Sequence, residues 1–132
     1  MIRAFMLSVL TALTALAGEW KEIRHVATVD EDGVQRIKVK AGSYYYNPNY
    51  IVVKKGIPVE LVIVRESAIV PHNIVIEMPG VSIRRDLDPE EETKVRFTPE
   101  VTGRFEFYCD KKFLFFPSHR EKGMWGVLEV VD

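Results

Sequence analysis

Cysteine is nearly absent: Cys109 is the only one in 132 residues, which excludes an internal disulfide. Amide side chains are scarce too, with Gln35, Asn47, Asn49 and Asn73 the only four, a composition that fits a heat-adapted source. Neither sign of charge is in excess. The 18 basic and 19 acidic side chains give a net charge of −1 with neutral histidines, a balance that argues against nucleic acid as a partner.

The chain also lacks an apolar run of the roughly 20 residues that a membrane span requires. Its longest apolar stretch, Ala4 to Ala17, follows the charged start at Arg3 and ends in Ala15-Leu16-Ala17. A charged start, a short apolar middle and a small-x-small ending are the pattern of a secretory signal peptide. No cysteine directly follows that stretch, which argues against a lipid anchor there. The expected organisation is a signal peptide at 1–17 and one domain at 18–132, exported to the periplasm or secreted. Membrane contact is expected only through an uncleaved signal segment. A length of 132 residues suits one domain with a real core.

Helical periodicity is missing from Glu22 onward, where no apolar pattern at helical spacing lasts ten residues. Short β-rich segments occur instead: Glu22 to Val29, Val34 to Lys40, Ser43 to Tyr46, Tyr50 to Lys54 and Pro58 to Arg65. Further along come Asn73 to Glu77, Ser82 to Arg85, Glu92 to Phe97, Arg104 to Cys109 and Trp125 to Val131. The Asp30-Glu31-Asp32-Gly33 stretch between the first two predicts a hairpin turn. Turn signals about every ten residues predict an all-β, Greek-key antiparallel β-sandwich or barrel of about seven to nine strands. There is no internal repeat or interdomain linker.

A lone cysteine in an exported protein calls for a reason, and metal ligation is one; the ordinary alternative is an inert buried thiol. Period-two alternation places Phe105, Phe107 and Cys109 on one inward face at the end of a strand. His119 and Met124 lie on the connection that follows, and His72 starts another strand directly after Pro71. Taken singly, each has a structural reading: surface histidine, core methionine. Together they offer two imidazoles, a thiolate and a thioether, a soft mixed set that suits copper with a weak axial methionine. Zinc could use the same strong ligands, though methionine adds little for it. His25 reads as structural or surface, the Tyr44-Tyr45-Tyr46 triplet as packing, and the acidic Asp86, Asp88 and Glu90 to Glu92 as a solvated turn.

These segments resemble the cupredoxins, the plastocyanin- and azurin-like type 1 blue-copper proteins. The likeness rests on Gly103-Arg-Phe-Glu-Phe-Tyr-Cys109, on His119 to Met124 with the strand after it, on Pro71-His72-Asn73, and on Asn47-Pro48 through Gly56. The resemblance implies one type 1 copper ion cycling between Cu(I) and Cu(II). It implies His72 Nδ1, Cys109 Sγ and His119 Nδ1 as strong ligands and Met124 Sδ as the weak axial one. It also implies that the Asn73 backbone N–H points at the thiolate while its side chain ties the two ligand loops together. The expected role is electron transfer without catalysis, as a monomer, with redox proteins such as a cytochrome or a terminal oxidase as partners. Two alternatives use the same fold: a copper-delivery or copper-resistance protein, and a red-copper, nitrosocyanin-like protein with an open position. A binuclear copper site would need a second cysteine.

One segment departs from the family pattern. Nine residues, Asp110 to Ser118, separate Cys109 from His119, against about four in the family, an increase whose closure entropy costs only about 0.7 kcal/mol. Phe116-Pro117-Ser118-His119 still resembles the azurin Phe-Pro-Gly-His, which places the insertion directly after Cys109. The insertion contains Phe113, Leu114, Phe115 and Phe116, each worth roughly 1.5–3 kcal/mol if buried. They are expected either to fold over the metal or to form a docking patch beside His119, with Lys111 and Lys112 available to steer an acidic partner.

Overall fold

The computed structural model describes residues 20–66 and 69–132; the expected signal peptide lies outside them. Ten strands form in chain order: β1 (Arg24–Val26), β2 (Gln35–Gly42), β3 (Tyr45–Asn47), β4 (Tyr50–Lys54) and β5 (Val59–Arg65), then β6 (Asn73–Met78), β7 (Val81–Asp86), β8 (Thr93–Phe97), β9 (Gly103–Tyr108) and β10 (Trp125–Val131). They build a six-stranded sheet in the order β1-β4-β10-β9-β6-β7 and a four-stranded sheet in the order β3-β2-β5-β8. No helix among the described residues is long and apolar enough to cross a membrane.

Alternation in the sequence decides which side chains meet between the sheets. In β2, Ile37, Val39 and Ala41 point inward while Lys38 and Lys40 face water. In β10, Leu128 and Val130 do the same. The inward sets join Ile51, Leu61, Ile63, Ile74, Ile76 and Phe107 in one core. Gly126 of β10 is required where it stands: a Cβ there would collide with the Phe107 ring and the Asn49 carbonyl.

The expected sandwich is borne out, and its pairing is mixed. β1 and β10 both run parallel to β4, and β2 runs parallel to β5. One local expectation is corrected. The Asp30–Gly33 turn closes, with Gly33 N–H donating to Asp30 O at 2.9 Å and Gly33 at φ 81°. The segments flanking it nevertheless do not form a hairpin. Only Val29 and Gln35 bridge, because Ala27 N–H donates to Val52 O and carries β1 into the opposite sheet from β2. A turn signal fixes a chain reversal; it does not fix which edge the preceding residues find.

This topology gathers one end of three strands of the larger sheet. His72 and Asn73 stand at the start of β6, Cys109 directly follows β9, and Met124 directly precedes β10. Residues distant in sequence therefore meet at one end of the sandwich.

Candidate metal centre

His72, Cys109 and His119 are all buried, and one potential ligand atom from each lies within 4.8 Å of the others. The His72 and His119 Nδ1 atoms are 3.2 Å apart, and Cys109 Sγ is 3.5 Å from His119 Nδ1. Metal–nitrogen bonds of about 2.0 Å and a metal–sulfur bond of about 2.3 Å can span such separations. The third histidine, His25, is exposed in β1 and outside the cluster.

Backbone bonds hold each residue in place. His72 O accepts from Leu87 N–H at 2.9 Å. His119 is fixed twice, its N–H donating to Lys111 O at 2.8 Å and its carbonyl accepting from Met124 N–H at 2.9 Å. Met124 is fully buried, and its carbonyl accepts from Cys109 N–H at 3.1 Å. Thiol, imidazole and thioether residues are thus tied to one another through the main chain.

Asn73 joins the segment that carries His72 to the one that carries Cys109. Its backbone N–H points at Cys109 Sγ at 3.4 Å, its Nδ2 donates to Asp110 Oδ1 at 2.6 Å, and its Oδ1 accepts from Asp110 N–H at 3.0 Å. Such bonds orient a ligand sulfur and tune its electronics. Asp110 is paired in turn with Arg84.

Burial sets the protonation states. It pushes the His72 imidazole down to about 4, helped by the neighbouring His119, and it lowers His119 as well, helped by Lys122. Both rings are therefore neutral at neutral pH and have a lone pair to give. Burial raises the Cys109 thiol, partly offset by the Asn73 N–H, so forming the thiolate needs a cation close by. His72 Nε2 is buried without a hydrogen-bond partner among the described residues. Two buried imidazole Nδ1 atoms facing each other at 3.2 Å beside a thiol are poor structural design and good metal-site design. The donor chemistry fits one copper ion, soft sulfur with two imidazoles.

A family model of the cupredoxin-like domain matches residues 4–124. The chain belongs to the cupredoxin-like family. Among solved structures, this cupredoxin resembles the metal-binding domain of the Cu(I)-exporting P-type ATPase CopA from Streptococcus pneumoniae D39. The two are 30% identical, with a TM-score of 0.65 over 83% of this chain and 96% of that one. A copper-binding protein studied in its apo form is 29% identical, with a TM-score of 0.62 over 81% and 96%. Reduced auracyanin from Roseiflexus castenholzii shares the fold at 20% identity and a TM-score of 0.56, over 80% and 99%. No curated protein matches the sequence.

The site of this cupredoxin includes a residue that the sequence had assigned to packing alone. Tyr44, half-buried, sets its ring edge-on to His119 at 4.9 Å and to His72 at 6.4 Å, and Lys122 Nζ lies 4.3 Å from its centroid. Its φ of 70° is a left-handed conformation that a bulky side chain rarely adopts. Nothing in the alternation of a tyrosine triplet marks that position. The Phe113 to Phe116 run, for which two outcomes were expected, is exposed throughout.

Proposed function

We propose that this cupredoxin is an extracytoplasmic one-electron carrier in which His72, Cys109, His119 and Met124 hold a single copper ion. The observation that carries the reading is the buried convergence of two neutral imidazole Nδ1 atoms on the Cys109 sulfur. When bound, copper supplies a Cu(I)/Cu(II) couple that moves one electron at a time. The chain's own residues keep the surroundings nearly unchanged between the two states. Cys109 ends a core strand, Asn73 fixes the sulfur, and the backbone bonds among Cys109, His119 and Met124 leave each little freedom to move. His119 borders a groove at the protein surface and is the natural exit toward a redox protein. On this reading the protein has no catalytic role, since Met124 would complete the ligand set and leave no open position for a substrate. Export rests on the 1–17 segment; amino-terminal sequencing of the exported protein checks its cleavage.

Titration with Cu(II), followed by visible absorption and electron paramagnetic resonance, tests the centre. An intense thiolate-to-copper band is expected with the native chain and is expected to vanish in Cys109→Ser. Colour that survives this substitution would falsify the ligand set. The 30% identity to a metal-binding domain of a Cu(I) exporter favours a second reading, Cu(I) handling in delivery or resistance. Under it the protein binds Cu(I) tightly and gives a tetragonal spectrum without a thiolate band when offered Cu(II).

A further inference from the structure

Phe116 N–H donates to Phe113 O at 3.0 Å, closing a tight turn with Leu114 at φ 49°. The turn throws four consecutive apolar side chains outward, and Phe115 is fully exposed. Phe113 and Phe116 stack beneath the tip, 6.1 Å between centroids and 22° between planes. Across a groove of about 430 Å³, Ile69 is almost fully exposed as well. Lys111, Lys112 and Lys122 line that groove and no carboxylate does. Asp110 is held by Asn73 and Arg84, and Asp86 pairs with Lys111 at 2.9 Å, which leaves Lys112 and Lys122 as the groove lysines without a carboxylate partner among the described residues.

We propose that the Phe113–Phe116 turn is a membrane-docking finger that inserts into the interface of an anionic bilayer while the surrounding lysines meet the lipid headgroups. Two features select lipid over a protein partner. A protein interface is a broad patch matched to its partner in shape, and a protruding tip such as Phe115 would need a dedicated socket. The acyl–headgroup boundary needs none; it accepts aromatic and leucine side chains with basic groups alongside. Charge complementarity points the same way, since Lys112 and Lys122 stand on a groove that no carboxylate lines, which suits phosphate headgroups. The sequence had confined membrane contact to an uncleaved leader, and the finger would turn the His119 end toward the bilayer whether or not the leader is removed. Lipid binding can be measured without metal, so this inference stands or falls apart from the electron-carrier reading.

The test uses the full chain with Phe115→Trp and vesicles of phosphatidylglycerol and phosphatidylcholine bearing brominated acyl chains. The unsubstituted chain, with Trp20 and Trp125, supplies the background emission and carries the same leader. The added emission is expected to shift to the blue and be quenched with anionic vesicles, and to change little with phosphatidylcholine alone. Adding Lys111→Gln and Lys112→Gln should weaken partitioning by about tenfold, and raised salt should weaken it too. Emission from position 115 that ignores anionic vesicles overturns the proposal, even if an acidic protein surface moves it. Equal partitioning into neutral and anionic vesicles overturns it as well, because the basic rim would then be idle. The copper absorption of the same samples reports on the metal centre separately.

Discussion

The two ends of the sandwich treat buried polar groups in opposite ways. At the end away from the metal centre, Gln35 is completely buried and every reach of its amide is used: Nε2 donates to Lys54 O and Ile57 O at 3.0 Å each, and Oε1 accepts from Lys54 N–H at 2.7 Å. At the other end, His72 is almost equally buried, yet its Nε2 has no partner among the described residues and its Nδ1 faces a second imidazole. A satisfied polar group holds the fold together. A buried Nδ1 that meets only another imidazole nitrogen and a sulfur suits a group the polypeptide does not supply.

Gln35→Ala should show the largest stability effect of the substitutions that sharpen this contrast. It strands the Lys54 N–H and two carbonyls in the interior and opens a cavity, so a loss of about 3 kcal/mol is expected. Urea unfolding of the metal-free protein would measure it, as a lower midpoint with an unchanged slope. His72→Leu, at similar burial, should change the metal-free protein by less than about 1 kcal/mol in either direction, because it replaces a poorly satisfied ring with an apolar side chain. The same variant should lose the copper band. If His72→Leu costs as much as Gln35→Ala, the site end is a structural network and the contrast is false.

Within the site end, the two histidine-bearing segments differ as well. His72 follows a proline and enters a strand at once, whereas His119 arrives after nine residues. Its position depends on the Lys111 and Met124 backbone bonds rather than on loop length. Removing residues 112–116 retains Lys111 and restores a four-residue connection, with a closure gain of about 0.7 kcal/mol. The shortened protein should keep its copper colour and lose vesicle binding. Loss of colour on copper titration would show that the insertion helps to build the centre.

Much of this could be read from the chain. Alternation located the strands because one face of each is buried, and the spacing of Cys109, His119 and Met124 identified a shared connection because such a loop must fold back on itself. Strand partners were not legible. The Asp30–Gly33 turn forms as its residues dictate, yet β1 leaves for the other sheet through the Ala27–Val52 bond, a choice made by tertiary packing. Tyr44 was read as packing and not as part of the site because a left-handed tyrosine breaks the alternation that would have placed it. Asp110 was passed over because its value lies in a reciprocal contact with Asn73, 37 positions away in sequence. The exposure of Phe113 to Phe116 depends on a turn hydrogen bond that hydrophobicity does not encode.

The smallest effect belongs to the charged surface near the Gln35 end. Glu60 accepts from Arg96 Nη2 at 2.8 Å and from Arg36 Nε at 3.0 Å, and Arg36 also pairs with Asp30 and Asp32. The bonds from Arg96 and then Arg36 hold the Glu60 carboxyl below its ordinary value of 4.5. A carboxylate whose folded value is depressed adds stability in full above its unfolded value, and loses it as pH falls through the folded one. Arg96 is exposed and Arg36 partly so, so solvent screens the outer side of both pairs and keeps their worth small. Glu60→Gln should therefore leave stability nearly unchanged near neutral pH and make the decline between about pH 5 and about pH 3 shallower. Thermal unfolding across that range would detect the difference. An acid limb as steep as that of the native chain would mean that these ion pairs decorate the surface, leaving Gln35 and its amide bonds to hold that end alone.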